Sequence, residues 1–94
     1  MTLRISQNVR TKLANKTPPV TEDEILQCFS NRTGSYVADL REEHLTNPIT
    51  RWFIAETDFG RKLKVVFIPL GGDIIIKSAF DPNADELRIF ANLS

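Results

Sequence analysis

The stretch TDFGRKLKVVFIPLGGDIIIKSAF, Thr57 to Phe80, decides the fold. Two runs rich in Val, Ile and Phe carry lysines at alternate positions, the two-residue period of strands. Gly71-Gly72 between them signals a hairpin, because the favoured two-residue turn needs positive φ at its centre. A two-residue loop pairs Leu70 with Asp73, Phe67 with Ile76 and Leu63 with Phe80. Leu63, Val65, Phe67, Ile74, Ile76 and Phe80 then share the core face. Lys62, Lys64, Val66, Ile68, Ile75 and Lys77 share the other. A slip of one residue in either strand exchanges the two faces. Upstream, Asp58-Phe59-Gly60 marks a second hairpin that leads back into the strand RWFIAET, with Gly60 free to adopt positive φ. Two-residue and three-residue loops both fit that turn, so the facing of Trp52, Ile54 and Glu56 stays open.

Working outward, the next clear signal is VTEDEI. Thr21 is placed as a helix N-cap, with Glu24 three residues on to complete a capping box. Val20 and Ile25 are spaced for a hydrophobic staple, and Glu22, Asp23 and Glu24 favour the positive end of the helix dipole. Ile25, Leu26 and Phe29 form the buried stripe, with Cys28 a small core residue. An earlier helix in SQNVRTKLANK starts at Ser6, presents Val9 and Leu13, and stops at Thr17-Pro18-Pro19. YVADL (Tyr36 to Leu40) reads as a short strand, and REEHLTNPIT (Arg41 to Thr50) as a polar loop. After the sheet, Asn83 caps a last helix with Glu86 three residues on, anchored by Leu87 and Phe90. The expected architecture is α+β: two N-terminal helices, a four-stranded antiparallel sheet with the helices on one face, and a C-terminal helix, all in one domain, 1–94.

Ninety-four residues suit a single small domain with a thin core. The chain is 41% hydrophobic and 26% charged, a globular balance. Twelve Lys and Arg against twelve Asp and Glu give no net charge, which argues against tight nonspecific nucleic-acid binding. The single cysteine excludes an intramolecular disulfide. No run approaches the roughly 20 apolar residues of a membrane span, and the N-terminus lacks a signal-peptide core. A soluble cytoplasmic protein is the expectation.

P-loop, GxGxxG, HExxH and CxxC patterns are absent. A Cys28–His44 nucleophile pair would need both side chains adjacent, whereas a helical Cys28 reads as a structural thiol. The densest polar cluster is DLREEH, Asp39 to His44. There Arg41 is a candidate anion clamp and His44 a candidate general acid or base; a solvated loop is the plainer alternative. Asp39, Glu43 and His44 are metal-ligand types without a second cluster, so no metal or cofactor is expected. Arg51, Arg61, Lys62, Lys64, Lys77 and Arg88 form a second group, suited to phosphate or to stabilising a transferring phosphoryl group. Lysines that merely solubilise a sheet are the alternative there.

The run GRKLKVVFIPLGGDIIIKSAF followed by ADELRIF resembles the C-terminal half of BrnT-type toxins, members of the RelE-like superfamily of small ribonucleases in toxin–antitoxin pairs. Gly60, Arg61, Leu63, Val65, Val66 and Phe67 match the first strand of that pattern, Ser78 and Ala79 the second, and Glu86 the helix glutamate. Val20, Glu24 and Phe29 match a looser N-terminal pattern. Two positions depart from it: Phe80 stands where the pattern has arginine, and Phe90 where it has tyrosine. The resemblance implies a RelE/BrnT-like fold, an antitoxin protein as partner and RNA as substrate. The whole chain also resembles a group of short bacterial proteins carrying REEH, a TxPxT loop, WFIAET, GRxLK and NADE, here Arg41–His44, Thr46–Thr50, Trp52–Thr57, Gly60–Lys64 and Asn83–Glu86. That group is named ADP-ribosyl-(dinitrogen reductase) hydrolase, although enzymes with that activity are much larger, all-helical and hold paired magnesium.

The first expectation is therefore a toxin-like, metal-independent endoribonuclease, with His44 and Arg61 catalytic and Arg41, Lys64 and Lys77 holding phosphate. Of these, only Arg61 comes from the resemblance. The second expectation is a non-catalytic module that binds a partner protein on the mixed sheet face or along an exposed sheet edge. The hydrolase ranks third.

Overall fold

The computed structural model describes residues 2–38 and 49–93. In chain order the elements are β1 (Thr2–Ile5), α1 (Gln7–Ala14), α2 (Glu22–Asn31), β2 (Val37–Ala38), β3 (Arg51–Glu56), β4 (Lys62–Leu70), β5 (Asp73–Phe80) and α3 (Ala84–Leu93). The fold is α+β, but among the described residues the sheet has five strands rather than four and is mixed, in the order β1-β5-β4-β3-β2. The additional strand is β1, which pairs parallel to β5, with Leu3 opposite Ile74 and Ile5 opposite Ile76. Its sequence signal was brief: two apolar residues, Leu3 and Ile5, in alternation. Both pack against the core, while Arg4 on the other parity bonds Asp73 at 2.8 Å.

The helix starts are built as the sequence reads. Ser6 accepts from the Val9 amide at 3.3 Å. Thr21 and Glu24 form the full reciprocal capping box, at 3.1 Å in each direction. Asn83 and Glu86 make the same exchange at the start of α3, at 3.0 and 2.8 Å. Each pair satisfies amides that a helix N-terminus otherwise leaves without partners.

The Gly71-Gly72 turn is a two-residue loop with φ of 58° and 87°, and Leu70 faces Asp73. The register then holds as far as Phe67 opposite Ile76. There it changes: Val66 faces Ser78, so Lys77 is an extra residue in a β-bulge. The bulge reverses the phase of β5. Ala79, fully buried, takes the core position opposite Val65, and Phe80 pairs with Lys64 on the opposite face. The expected Leu63–Phe80 core pair is thereby corrected. The other five expected core residues, Leu63, Val65, Phe67, Ile74 and Ile76, are all buried.

The Asp58-Phe59-Gly60 loop proves to have three residues. The Thr57 amide donates to the Arg61 carbonyl at 2.8 Å, the Gly60 amide to the Thr57 carbonyl at 3.0 Å, and Gly60 takes φ 86°. Phe53 and Ala55 of β3 then join the core, while Trp52 and Ile54 face the other side with Val66 and Lys64.

Both N-terminal helices pack on the core face through Val9, Leu13, Ile25, Cys28 and Phe29. Rings of Phe29, Tyr36, Phe53 and Phe67 make a cluster of edge-on and tilted contacts there, with centroids 4.8–6.4 Å apart. The third helix lies elsewhere. Glu86 and Phe90 of α3, four residues apart on one stripe, meet Lys64 and Trp52 on the reverse of the sheet. The helices therefore cover both faces, which corrects the expected one-sided layer. Trp52 and Ile54 made an apolar patch on that second face, and α3 supplies its cover. No helix among the described residues is long and apolar enough to cross a membrane.

Candidate functional site

Of the expected catalytic and phosphate-handling residues, Arg61 and Lys64 are each engaged by partners within the chain. Arg61 leads into β4 beside the Pro18-Pro19 segment. Its Nε donates to Asp81 Oδ1 at 3.0 Å, one terminal nitrogen to the Pro19 carbonyl at 2.8 Å and to both Glu24 carboxylate oxygens at 3.3 Å, and the other to the Pro18 carbonyl at 3.0 Å. Every guanidinium nitrogen is engaged within the chain. Arg61 ties the interhelical connection, the α2 N-terminus and the end of β5 to one strand, as the rigid donor fork of arginine allows.

Lys64 is equally committed. Its ammonium lies 2.7 Å from Glu86 Oε2, 4.4 Å from the Trp52 ring centroid and 5.5 Å from that of Phe80. The side chain is 13% exposed. A carboxylate and two aromatic faces compensate a charge held largely out of water. Lys77 is exposed at the bulge. Arg41 and His44 lie outside the described residues, as do Asp39 and Glu43. Of the remaining cations, Arg51 and Lys62 are exposed, and Arg88 bonds Asp85 at 3.0 Å on the surface of α3.

Cys28 is fully buried, and its thiol donates to the Ala55 carbonyl at 3.7 Å. Burial pushes the thiol up to about 11, Glu24 adds to the rise, and Arg61 opposes it. A thiol held protonated in this way is a poor nucleophile. Among the described residues no three His, Cys, Asp or Glu side chains cluster as a metal site would need.

A concavity lies elsewhere, along β3. Among the described residues strand β2 has two residues, Val37 opposite Trp52 and Ala38 opposite Arg51. Past Trp52, β3 has no strand beside it on that side among the described residues. The Thr57 amide points to β4, so by strand alternation Ile54 directs its N–H and C=O away from β4, toward the open side. The open side is a cleft of about 830 Å³. One wall is the α2 C-terminus at Asn31 and Thr33; another is α3 at Leu87, Phe90 and Ala91. Its base is Ile54 to Asp58, with Lys62 at the rim.

The hairpin end of the cleft is tied to α2 by side-chain hydrogen bonds. Asn31 Nδ2 donates to the Glu56 carbonyl and to Asp58 Oδ1, both at 3.0 Å, and the Asp58 amide donates to Gln27 Oε1 at 2.9 Å. Thr57, only 4% exposed, accepts on its hydroxyl from the Phe59 and Arg61 amides at 3.3 and 3.2 Å. The hairpin turn is thus pinned to α2. Phe59, at its tip, is 95% exposed.

Sequence reading missed this cleft because its walls come from three distant segments. The available hint was the brevity of YVADL beside a longer RWFIAET, and part of the longer strand has no partner strand among the described residues. Comparisons with protein-family models, with curated proteins and with solved structures each found no match.

Proposed function

We propose that this chain is a protein-docking module, a cytoplasmic RelE/BrnT-like relative that binds a partner polypeptide in the cleft along β3. The observation that carries the reading is the stretch of β3 that has no partner strand among the described residues, at the base of a cleft with apolar side chains on Ile54, Leu87, Phe90 and Ala91 beside it. An extended segment laid there gains main-chain bonds at Ile54 and buries apolar side chains against α3, the strand-addition mode of peptide recognition. The stretch is short, since the Glu56 carbonyl is already taken by Asn31. Affinity then rests more on side chains than on the ladder. An antitoxin-type protein is the partner class that the sequence resemblance implies. The absence of net charge and the commitment of Arg61 and Lys64 to internal partners favour docking over phosphate chemistry.

Peptide display against the folded protein tests this reading. Selected peptides should bind wild type and lose affinity at least about tenfold to Ala91→Arg, which blocks one wall of the cleft. Peptides indifferent to that substitution would count against it.

A second reading is the toxin-like endoribonuclease, with His44 and Arg61 catalytic and Arg41, Lys64 and Lys77 at phosphate. Its specific support is Lys77, exposed on a bulge; bulges are over-represented beside active sites, where they re-aim a side chain. Cleavage of mixed RNA in EDTA that is lost in His44→Ala and Lys77→Ala would favour it. The ADP-ribosyl hydrolase reading has no support of this kind.

A further inference from the structure

The three helices are held to the sheet by different means. Leu13 of α1 and both Ile25 and Cys28 of α2 are buried in the core. No residue of α3 is buried, and its Ile89 and Leu93 are 42% and 63% exposed. Phe90 packs against the buried core cluster, but no residue of α3 belongs to it. The fastenings of α3 to the sheet include the ion pair of Glu86 with Lys64 at 2.7 Å and the ring contact of Phe90 with Trp52 at 5.8 Å. At the foot of the helix Asp81 is bonded by Arg61, so a pivot falls at Pro82 and Asn83. A helix of ten residues is marginal in water by itself. Undocking therefore melts α3, while the strands and the other two helices keep their core.

We infer that α3 is a lid, which opens as a unit while the sheet stays folded, and that the β3 cleft takes its peptide only when α3 is closed. This rests on the docking reading above and adds the regulation of that same site. Leu87, Phe90 and Ala91 form one wall of the cleft, so that wall exists only while α3 is docked. Lys64 and Glu86 do not line the cleft; they act on it through the position of the helix, as a latch. Opening hydrates an ammonium and a carboxylate that closure holds largely out of water, which offsets part of the attraction lost. Occupancy and closure reinforce each other: a bound peptide holds α3 down, and a latched α3 completes the site.

Native-state amide hydrogen exchange tests the inference on wild type, Glu86→Gln and Ile25→Val, with and without a display-selected peptide. Glu86→Gln removes the charge of the latch and keeps an oxygen for the Asn83 amide. Ile25→Val loosens the core on the other face of the sheet. In wild type the amides of residues 87–93 should exchange together, at least about a hundredfold faster than the slowest amides of β4. Glu86→Gln should speed both groups by the same factor, because the latch is lost in the open and the unfolded states alike. Ile25→Val should speed β4 and leave α3 unchanged, because the core is intact when the lid is open. Peptide at about ten times its dissociation constant should slow α3 exchange about tenfold. Amides of α3 as slow as those of β4, or sped by Ile25→Val to the same extent, would overturn the lid. A peptide that binds the cleft while α3 exchange stays unchanged or quickens would overturn the coupling of lid to cleft. A chain that shows the lid but binds no selected peptide defeats the docking reading, and with it the lid's role at the cleft.

Discussion

Lys64 and Glu86 lie 2.7 Å apart across the interface between the sheet and α3, with their side chains 13% and 20% exposed. The pair sits in an aromatic setting, with the Lys64 ammonium over Trp52 and Trp52 against Phe90 at 5.8 Å between centroids. Glu86 also closes the capping box that starts α3. One carboxylate thus both begins the helix and fastens it.

Removing one partner of this pair takes the compensating charge away from the other, which is shielded from water. Lys64→Ala should cost about 1–3 kcal/mol of unfolding free energy, less than for a fully buried pair because some water reaches both groups. Glu86→Ala should cost more, since the cap adds about 1 kcal/mol. The double variant Lys64→Ala/Glu86→Ala should fall short of the sum of its singles by about 1 kcal/mol. Urea unfolding followed by Trp52 fluorescence reads all three; strict additivity would mean that the contact contributes nothing.

Arg61 is a structural clasp in this account. Arg61→Ala should destabilise by about 2–4 kcal/mol through loss of bonds to Glu24, Asp81 and two proline carbonyls. Arg61→Lys should recover less than half of that, because an ammonium cannot bridge four acceptors in fixed directions. Thermal melts decide it. A loss of any RNA-cleaving activity in Arg61→Ala is interpretable only beside such a melt.

The buried thiol gives a pH prediction. Its folded pKa is raised to about 11, so its contribution to stability is complete below about 9, where an unfolded thiol ionises, and is lost as pH rises through 11. Wild type should lose on the order of 2 kcal/mol more than Cys28→Ala between those limits. Denaturant curves at pH 8 and at the alkaline end measure the difference. Near neutral pH, alkylation of Cys28 should require unfolding, and rapid labelling of the native protein would contradict its burial.

Deletion of Lys77 tests the bulge. Without it, Ile76, Ser78, Ala79 and Phe80 alternate in a regular strand and keep the faces they have now. The deletion should fold at a cost below about 2 kcal/mol, within the ordinary range for a single change. In a bulge-free sheet the same deletion would turn Ser78 and Phe80 to the wrong faces, and the core would fail.

Much of the fold was legible wherever a short-range rule applied. Thr21 with Glu24, Asn83 with Glu86, and Gly71-Gly72 all place backbone groups within a few residues of each other, and local chemistry specifies them. Phe80 was misplaced because a bulge adds one residue without marking the sequence, and all facing beyond it depends on that residue. The strand at Leu3 and Ile5 was missed because four residues give too few periods to count, and its pairing partner lies some seventy positions away. The site was less legible still. Arg61 and Lys64 carry the right charge for phosphate, but charge alone does not reveal that Glu24, Asp81 and Glu86 will meet them first. The cleft depends on where β2 begins and on which face α3 covers, and neither is a local property.

The most direct measurement is an amide-shift titration of the ¹⁵N-labelled protein with a display-selected peptide. The account predicts shifts centred on Ile54, Glu56, Leu87 and Ala91, with cross-strand contacts from the peptide backbone to Ile54. Shifts centred instead on Lys77 and the β5 bulge, with the β3 edge silent, would contradict it.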